Sequence, residues 1–218
     1  MRLRAALALA WLAGAAPALA HDASPVPRLD YEPPAPGTYT LHRIMVAPDG
    51  EVLDLDGRAQ PLRRFTRERI TLLGFIYTTC VDPDGCPLAY RVFDALRPAI
   101  AARPGLRDKV RLVTLSFDPR HDTPAAMRAY AGRRATEDRT GVPWSFLTTR
   151  SPQALAPLLD GFGQDVRSVR GPAGRRELSH VLKVFLIDDN AVVREIYDST
   201  FLHPQTVLND IETLLMAP

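Results

Sequence analysis

ITLLGFIYTTCVDPDGCP, residues 70–87, decides the reading of this chain. Ile70 to Tyr77 is a short, nearly unbroken apolar run of the kind expected for a strand covered on both faces. It ends directly at Cys80. After Cys86 and Pro87 the period changes: Leu88, Val92, Phe93, Leu96 and Ile100 recur at spacings of three and four, which marks one face of a helix. Pro87 suits the first turn, where its missing N–H would have no intrahelical partner, and Pro98 is expected to kink or end the helix near Arg97. Between the cysteines, Asp82-Pro83-Asp84-Gly85 has the residue order of a type I turn, whose ends approach to within about 7 Å. Both a disulfide and a shared metal are therefore geometrically open. Cys86, at a helix start, is expected to favour thiolate over thiol, which supports metal binding and redox reactivity alike.

Working outward, the strand signal recurs at Val110–Ser116 and Trp144–Thr148. Helices open at Thr123-Pro124 and Ser151-Pro152, each a cap residue followed by proline. Upstream, Glu51–Leu62 places apolar residues on both sides of Asp56-Gly57, a two-residue hairpin signal. Downstream, Gly161–Leu178 reads as a charged loop. Strands Val181–Ile187 and Val192–Tyr197 then flank Asp188-Asp189-Asn190, and a last helix covers about Pro204–Leu215. Alternating strands and helices followed by a tight hairpin imply an α/β protein with a central mixed sheet flanked by helices. A cysteine pair where the first central strand meets its helix, at the carboxyl end of the sheet, gives the pattern of a thioredoxin-like fold.

The N-terminus sets the compartment. Residues 1–20 hold Arg2 and Arg4, then an apolar stretch, then Ala18-Leu19-Ala20, the three-part form of a cleavable secretory signal. Pro17 closes the apolar stretch short of the roughly 20 residues a membrane span needs. Residues 21–50 are expected to form an extended, proline-rich arm that adds little to the core, and 51–218 the domain. The whole chain has 27 basic and 25 acidic residues. Loss of the signal leaves 25 of each, so a nucleic-acid partner is not expected. In an exported protein a cysteine pair is more often a structural disulfide than a reactive site, and context has to overturn that prior.

Two thiolates select Cu(I), with Zn(II) as competitor, and imidazole suits both. Of the five histidines, His180 stands just ahead of a central strand, on a loop that a thioredoxin-like fold sets beside the cysteines. Gly74-Phe-Ile-Tyr-Thr-Thr-Cys80, Cys86-Pro87, Leu115-Ser-Phe-Asp-Pro-Arg-His-Asp-Thr-Pro124 and Ser179-His180 resemble, in that order, the Sco/SenC family of thioredoxin-like copper-binding proteins. The resemblance implies copper, as Cu(I) or Cu(II), held by Cys80, Cys86 and His180. It also implies a periplasmic metallochaperone serving the CuA site of a partner such as cytochrome c oxidase subunit II. One departure stands out: the family spaces its cysteines by three residues, and here there are five. The extra residues place Asp82 and Asp84 beside the thiols, where a solvated turn is the simpler role and an added oxygen ligand the alternative.

The remaining polar residues carry less. Asp118 either faces the cysteine loop from the end of its strand or serves only a local turn with Pro119; Asp122 and Thr123 are expected only to cap a helix; His121, His42 and His203 are expected at the surface or in structural roles. His21 would become the first residue after cleavage, with an amine and imidazole able to chelate copper. Two other functions use the same pair. One is a thiol–disulfide oxidoreductase with Cys80 and Cys86 as the redox-active residues, although Glu177–His180 lacks the proline such enzymes place there. The other is a non-catalytic module with a structural disulfide.

Overall fold

The computed structural model describes residue 26 and residues 28–135, 140–170 and 176–216. Residues 1–20, expected to be a signal segment, and His21 lie outside the described residues. Ten strands and five α-helices follow in order: β1 (Met45–Val46), β2 (Glu51–Leu53), β3 (Ala59–Pro61), α1 (Arg63–Thr66), β4 (Ile70–Ile76), α2 (Cys86–Ala101), β5 (Val110–Ser116), α3 (Pro124–Ala131), β6 (Trp144–Leu147), α4 (Pro152–Phe162), β7 (Val166–Arg170), β8 (Arg176–His180), β9 (Val184–Ile187), β10 (Val192–Tyr197) and α5 (Pro204–Met216).

Six strands form one mixed sheet in the order β1-β10-β9-β4-β5-β6. β4, β5 and β6 run parallel, whereas β9 pairs antiparallel with β4 and carries β10 and β1 in alternating directions. All seven residues of β4 are buried, as an apolar run without alternation requires. Its two faces meet different helices. A Cβ on Gly74 would touch the ring of Phe93 in α2, while Phe75, on the opposite face, packs edge-on against Phe162 of α4 at 5.3 Å and Phe185 of β9 at 6.0 Å. On the α2 side, Trp144 stacks on Phe146, and the pair is closed by Tyr90 and Phe93 of α2 and Tyr130 of α3. Thr123 and Ser151 cap α3 and α4 by accepting from Ala126 N–H and Ala154 N–H.

Several expectations are corrected by packing. α2 runs through Pro98 to Ala101. The lost hydrogen bond there costs about 3 kcal/mol in an isolated helix; the buried Leu96, Arg97 and Ile100 on either side hold the last turn in place. The described residues of Gly161–Leu178 are not a loop: α4 extends to Phe162, and β7 and β8 pair antiparallel with Val166 opposite His180. β7 exposes nearly every residue, so it lacks the apolar alternation that announces a strand. The β2–β3 hairpin forms, but its loop spans Asp54–Arg58, where the Asp54 carboxylate accepts Asp56 and Arg58 N–H and Gly57 takes φ +75°. Residues 181–183 stay out of the ladder, with Val181 exposed.

The segment ahead of Glu51 also does more than extend. Leu41 and Ala47 are buried, and β1 pairs with β10. At a bulge in β10, Arg194 turns back to donate to the carbonyls of Leu41 and His42 and to the Asp188 carboxylate. Further ties run from α5: Asn209 donates to Pro34 O, Gly37 N–H donates to Thr213, and Asp210 accepts from both Tyr39 and Tyr197.

Candidate metal centre

β4 leaves the sheet at Ile76, and ten residues later Cys86 opens α2. The loop between them is closed by the expected turn, with Gly85 N–H donating to Asp82 O at 3.1 Å and Asp84 N–H to the Asp82 carboxylate at 3.1 Å. This turn folds the intervening residues back so that the two cysteines meet, both unbridged. Cys80 is partly exposed and Cys86 is fully buried.

Cys86 ionises against the sequence expectation, and it is Cys80 that favours the thiolate. Cys80 is drawn down from 9.0 to about 6, chiefly because the Cys86 thiol donates to its sulfur; the backbone N–H groups of Cys86 and Asp82 and the Tyr77 hydroxyl add to this, against an opposing cost of burial. Burial pushes the Cys86 thiol well up, reinforced by the same contact with Cys80. The helix-start N–H of Cys86 thus serves the neighbouring sulfur, and desolvation decides the fate of Cys86 itself. The Tyr77 hydroxyl is likewise raised by burial and by the charge on Cys80.

His180 ends β8. Its Nδ1 lies 3.1 Å from Leu178 O. A carbonyl only accepts, so Nδ1 carries a proton, and in the neutral ring it is Nε2 that keeps the lone pair. That lone pair faces Cys86 Sγ at 3.7 Å. The ring is held by Phe117, with centroids 4.7 Å apart, and meets Tyr77 edge-on at 5.8 Å. With bonds of about 2.3 Å to sulfur and 2.0 Å to nitrogen, two ligands of one ion at an angle of about 120° stand roughly 3.7 Å apart. The separation of Cys86 Sγ and His180 Nε2 is therefore one that a single ion could bridge. Cys80, His180 and Asp82 line one cavity of about 370 Å³. Among the described residues, no three His, Cys, Asp or Glu side chains are already gathered as a metal-holding group.

Asp118 and His121 face a neighbouring cavity of about 410 Å³ that also touches Tyr77, Thr79 and Val81. Asp118 is buried and pairs with the more exposed His121 at 2.9 Å. His203 accepts Gln205 N–H at the start of α5, and His42 is exposed.

Asp122 overturns its expected role. Thr123 makes the cap, while the Asp122 carboxylate is buried and accepts Thr78 N–H at 3.1 Å, Thr78 Oγ1–H at 2.5 Å and Ser116 Oγ–H at 2.5 Å. Burial raises its pKa against these three donors. Nothing local marks this contact in the sequence, because Thr78 and Asp122 are 44 residues apart.

A sequence model of the SCO1/SenC family matches residues 48–216. The chain belongs to the SCO1/SenC family. Among solved structures of similar fold, ScoI of Bradyrhizobium japonicum with copper bound is 22% identical, covering 77% of this chain and 98% of its own, at a TM-score of 0.59. Arabidopsis thaliana ScoI with copper bound is 16% identical, covering 79% and 99%, at 0.66. BsSco, described with a disulfide switch as a member of the Sco family of cytochrome c oxidase assembly proteins, is 19% identical, covering 82% and 99%, at 0.60. No curated protein matches the sequence. The fold shared with these Sco proteins is thioredoxin-like, and among the described residues no helix is long and apolar enough to cross a membrane.

Proposed function

We propose that this SCO1/SenC protein binds one copper ion through Cys80, Cys86 and His180 in the periplasm, after removal of residues 1–20, and passes it to a partner. The observation that carries the reading is the approach of Cys86 Sγ to His180 Nε2 at 3.7 Å, with Nδ1 of the same ring 3.1 Å from Leu178 O. Two sulfurs and one nitrogen favour Cu(I) over harder ions, and the copper-bound ScoI structures support that cargo. The residues divide the work. Cys86 is the buried member of the set, His180 and Cys80 are both partly exposed, and Cys80, already ionised near neutral pH, is the ligand an incoming thiolate can replace first. The CuA site of cytochrome c oxidase subunit II is the receiving site most in keeping with the description of BsSco.

Cu(I) titration of the reduced protein beginning at residue 21, against a competing chelator, tests this. About one equivalent should bind to the parent, with affinity collapsing in Cys80→Ala, Cys86→Ala and His180→Ala. Unchanged binding by His180→Ala removes the proposed site.

A second reading, thiol–disulfide exchange with a copper-receiving protein, is favoured by the asymmetry of the pair: Cys80 attacks as thiolate and Cys86 resolves the mixed disulfide. Turnover in an insulin-reduction assay would support it. Copper binding without turnover assigns the pair to metal alone.

A further inference from the structure

Beyond Ile76 the loop has no sheet ladder to fix it, although the cysteine sulfurs must be placed to within a fraction of an ångström. Its backbone donors go elsewhere: Tyr77 N–H to Cys86 Sγ at 3.4 Å, Cys80 N–H to Tyr77 O at 3.2 Å, and Thr78 N–H to the Asp122 carboxylate. Asp122 grips Thr78 with both oxygens, one on the N–H and one on the hydroxyl. The oxygen that holds the Thr78 N–H also accepts from Ser116 Oγ, and Ser116 Oγ in turn accepts Asp118 N–H at 2.9 Å. Asp122 is itself held from behind, its N–H donating to Asp118 O at 2.8 Å. One buried carboxylate therefore ties together the segment leading to Cys80, the end of β5, and the turn carrying Asp118 into the adjoining cavity.

We infer that Asp122 is the positioning residue of the centre, setting the Cys80 sulfur relative to the Cys86–His180 pair through its two-point hold on Thr78. This rests on the copper reading above. A carboxylate suits the task because all three donors converge on two oxygens, and hydrogen bonds to a charged acceptor are the strong ones. An amide of the same shape has one accepting oxygen and presents a donor to the remaining groups. Groups that orient metal ligands in this way typically account for about 10–100-fold in affinity.

The test compares Cu(I) affinity and thermal unfolding for the parent, Asp122→Asn, Thr78→Val, the double variant, and Thr123→Ala. Thr123→Ala removes the cap of α3 next door, so it should lower the unfolding temperature and leave Cu(I) affinity unchanged. Asp122→Asn should remain folded and bind Cu(I) about 10–100-fold more weakly. The double variant should be little weaker than the poorer single one, because both break one contact. Affinity of Asp122→Asn within about twofold of the parent, or fully additive losses, would reduce Asp122 to a fold-closing residue. If the parent binds no copper, the copper reading fails, and the positioning role is judged on the metal-free protein. There the preference of iodoacetamide for Cys80 over Cys86, read by mass spectrometry at fixed pH, should fall at least about threefold in Asp122→Asn. No change overturns the inference.

Discussion

Lowering the pH of the reduced, metal-free protein from 8 to 5 should titrate Cys80 with a midpoint near 6, whereas an ordinary cysteine is already a neutral thiol throughout that range. The consequence for reactivity follows from the geometry around its sulfur. With a pKa of about 6 in place of 9.0, Cys80 is about 90% thiolate at pH 7, against about 1% for an unperturbed cysteine. A weaker base is also a weaker nucleophile; with a Brønsted slope of about 0.45, three units of pKa cost about 20-fold in intrinsic rate. The net advantage is about fourfold at pH 7 and rises to about 40-fold at pH 5, where an unperturbed thiol has almost no thiolate left. Acid conditions are therefore where Cys80 stands out. Alkylation by iodoacetamide, followed site by site by mass spectrometry between pH 4.5 and 9, gives the profile directly. Because the Cys86 thiol is the largest cause of the lowering, Cys86→Ala should move the midpoint up more than Tyr77→Phe does. The stability linkage has a definite sign: a depressed acid stabilises the fold fully above about pH 9 and loses that contribution as pH falls through about 6. Cys86, raised by burial, acts in the opposite sense and disfavours the fold as pH climbs past the ordinary thiol range. A midpoint at pH 8 or above, unaffected by Cys86→Ala, would refute the arrangement of donors described around Cys80.

Three further outcomes test the fold. Phe75→Ala should cost about 3–5 kcal/mol in urea unfolding, since the ring is buried against Phe162 and Phe185. Arg194→Ala should speed proteolytic cleavage between residues 28 and 44, because it removes the donors to Leu41 O and His42 O; unchanged cleavage would show that β1 and α5 hold this segment without it. Tyr39→Phe should destabilise by about 1.5–3 kcal/mol, the range for a hydrogen bond to a charged group, by leaving the buried Asp210 with Tyr197 as its remaining tyrosine donor.

The sheet core was legible because its signals are local. β4 and β5 are uninterrupted apolar runs, and Pro124 and Pro152 follow residues that do cap their helices. The misreadings share a cause in contacts distant along the chain. Pro98 breaks a helix only where nothing else holds the last turn, and here Ile100 is buried. β7 has no apolar face to betray it, and its pairing with β8 supplies the order instead. At the site, the cysteine pair stood out by residue type, His180 was joined to it only by the family resemblance, and the structure brings Cys86 and His180 to 3.7 Å. The division of charge between the thiols and the role of Asp122 depend on burial and on bonds across 44 residues, which no spacing rule encodes.

The centre is assembled from two pieces of unequal permanence. The cysteines are seated where the six-stranded sheet meets α2, while His180 is carried on the separate two-stranded sheet of β7 and β8. Small, exposed hairpins open at lower free energy than a buried central strand, so the amides of β7 should exchange with solvent well before those of β4. A lift of that hairpin takes the imidazole away and leaves the thiols on their scaffold. If copper is held as proposed, opening of the hairpin would loosen the ion on its imidazole side while Cys80 stays the thiolate through which it is exchanged, and the core need not yield.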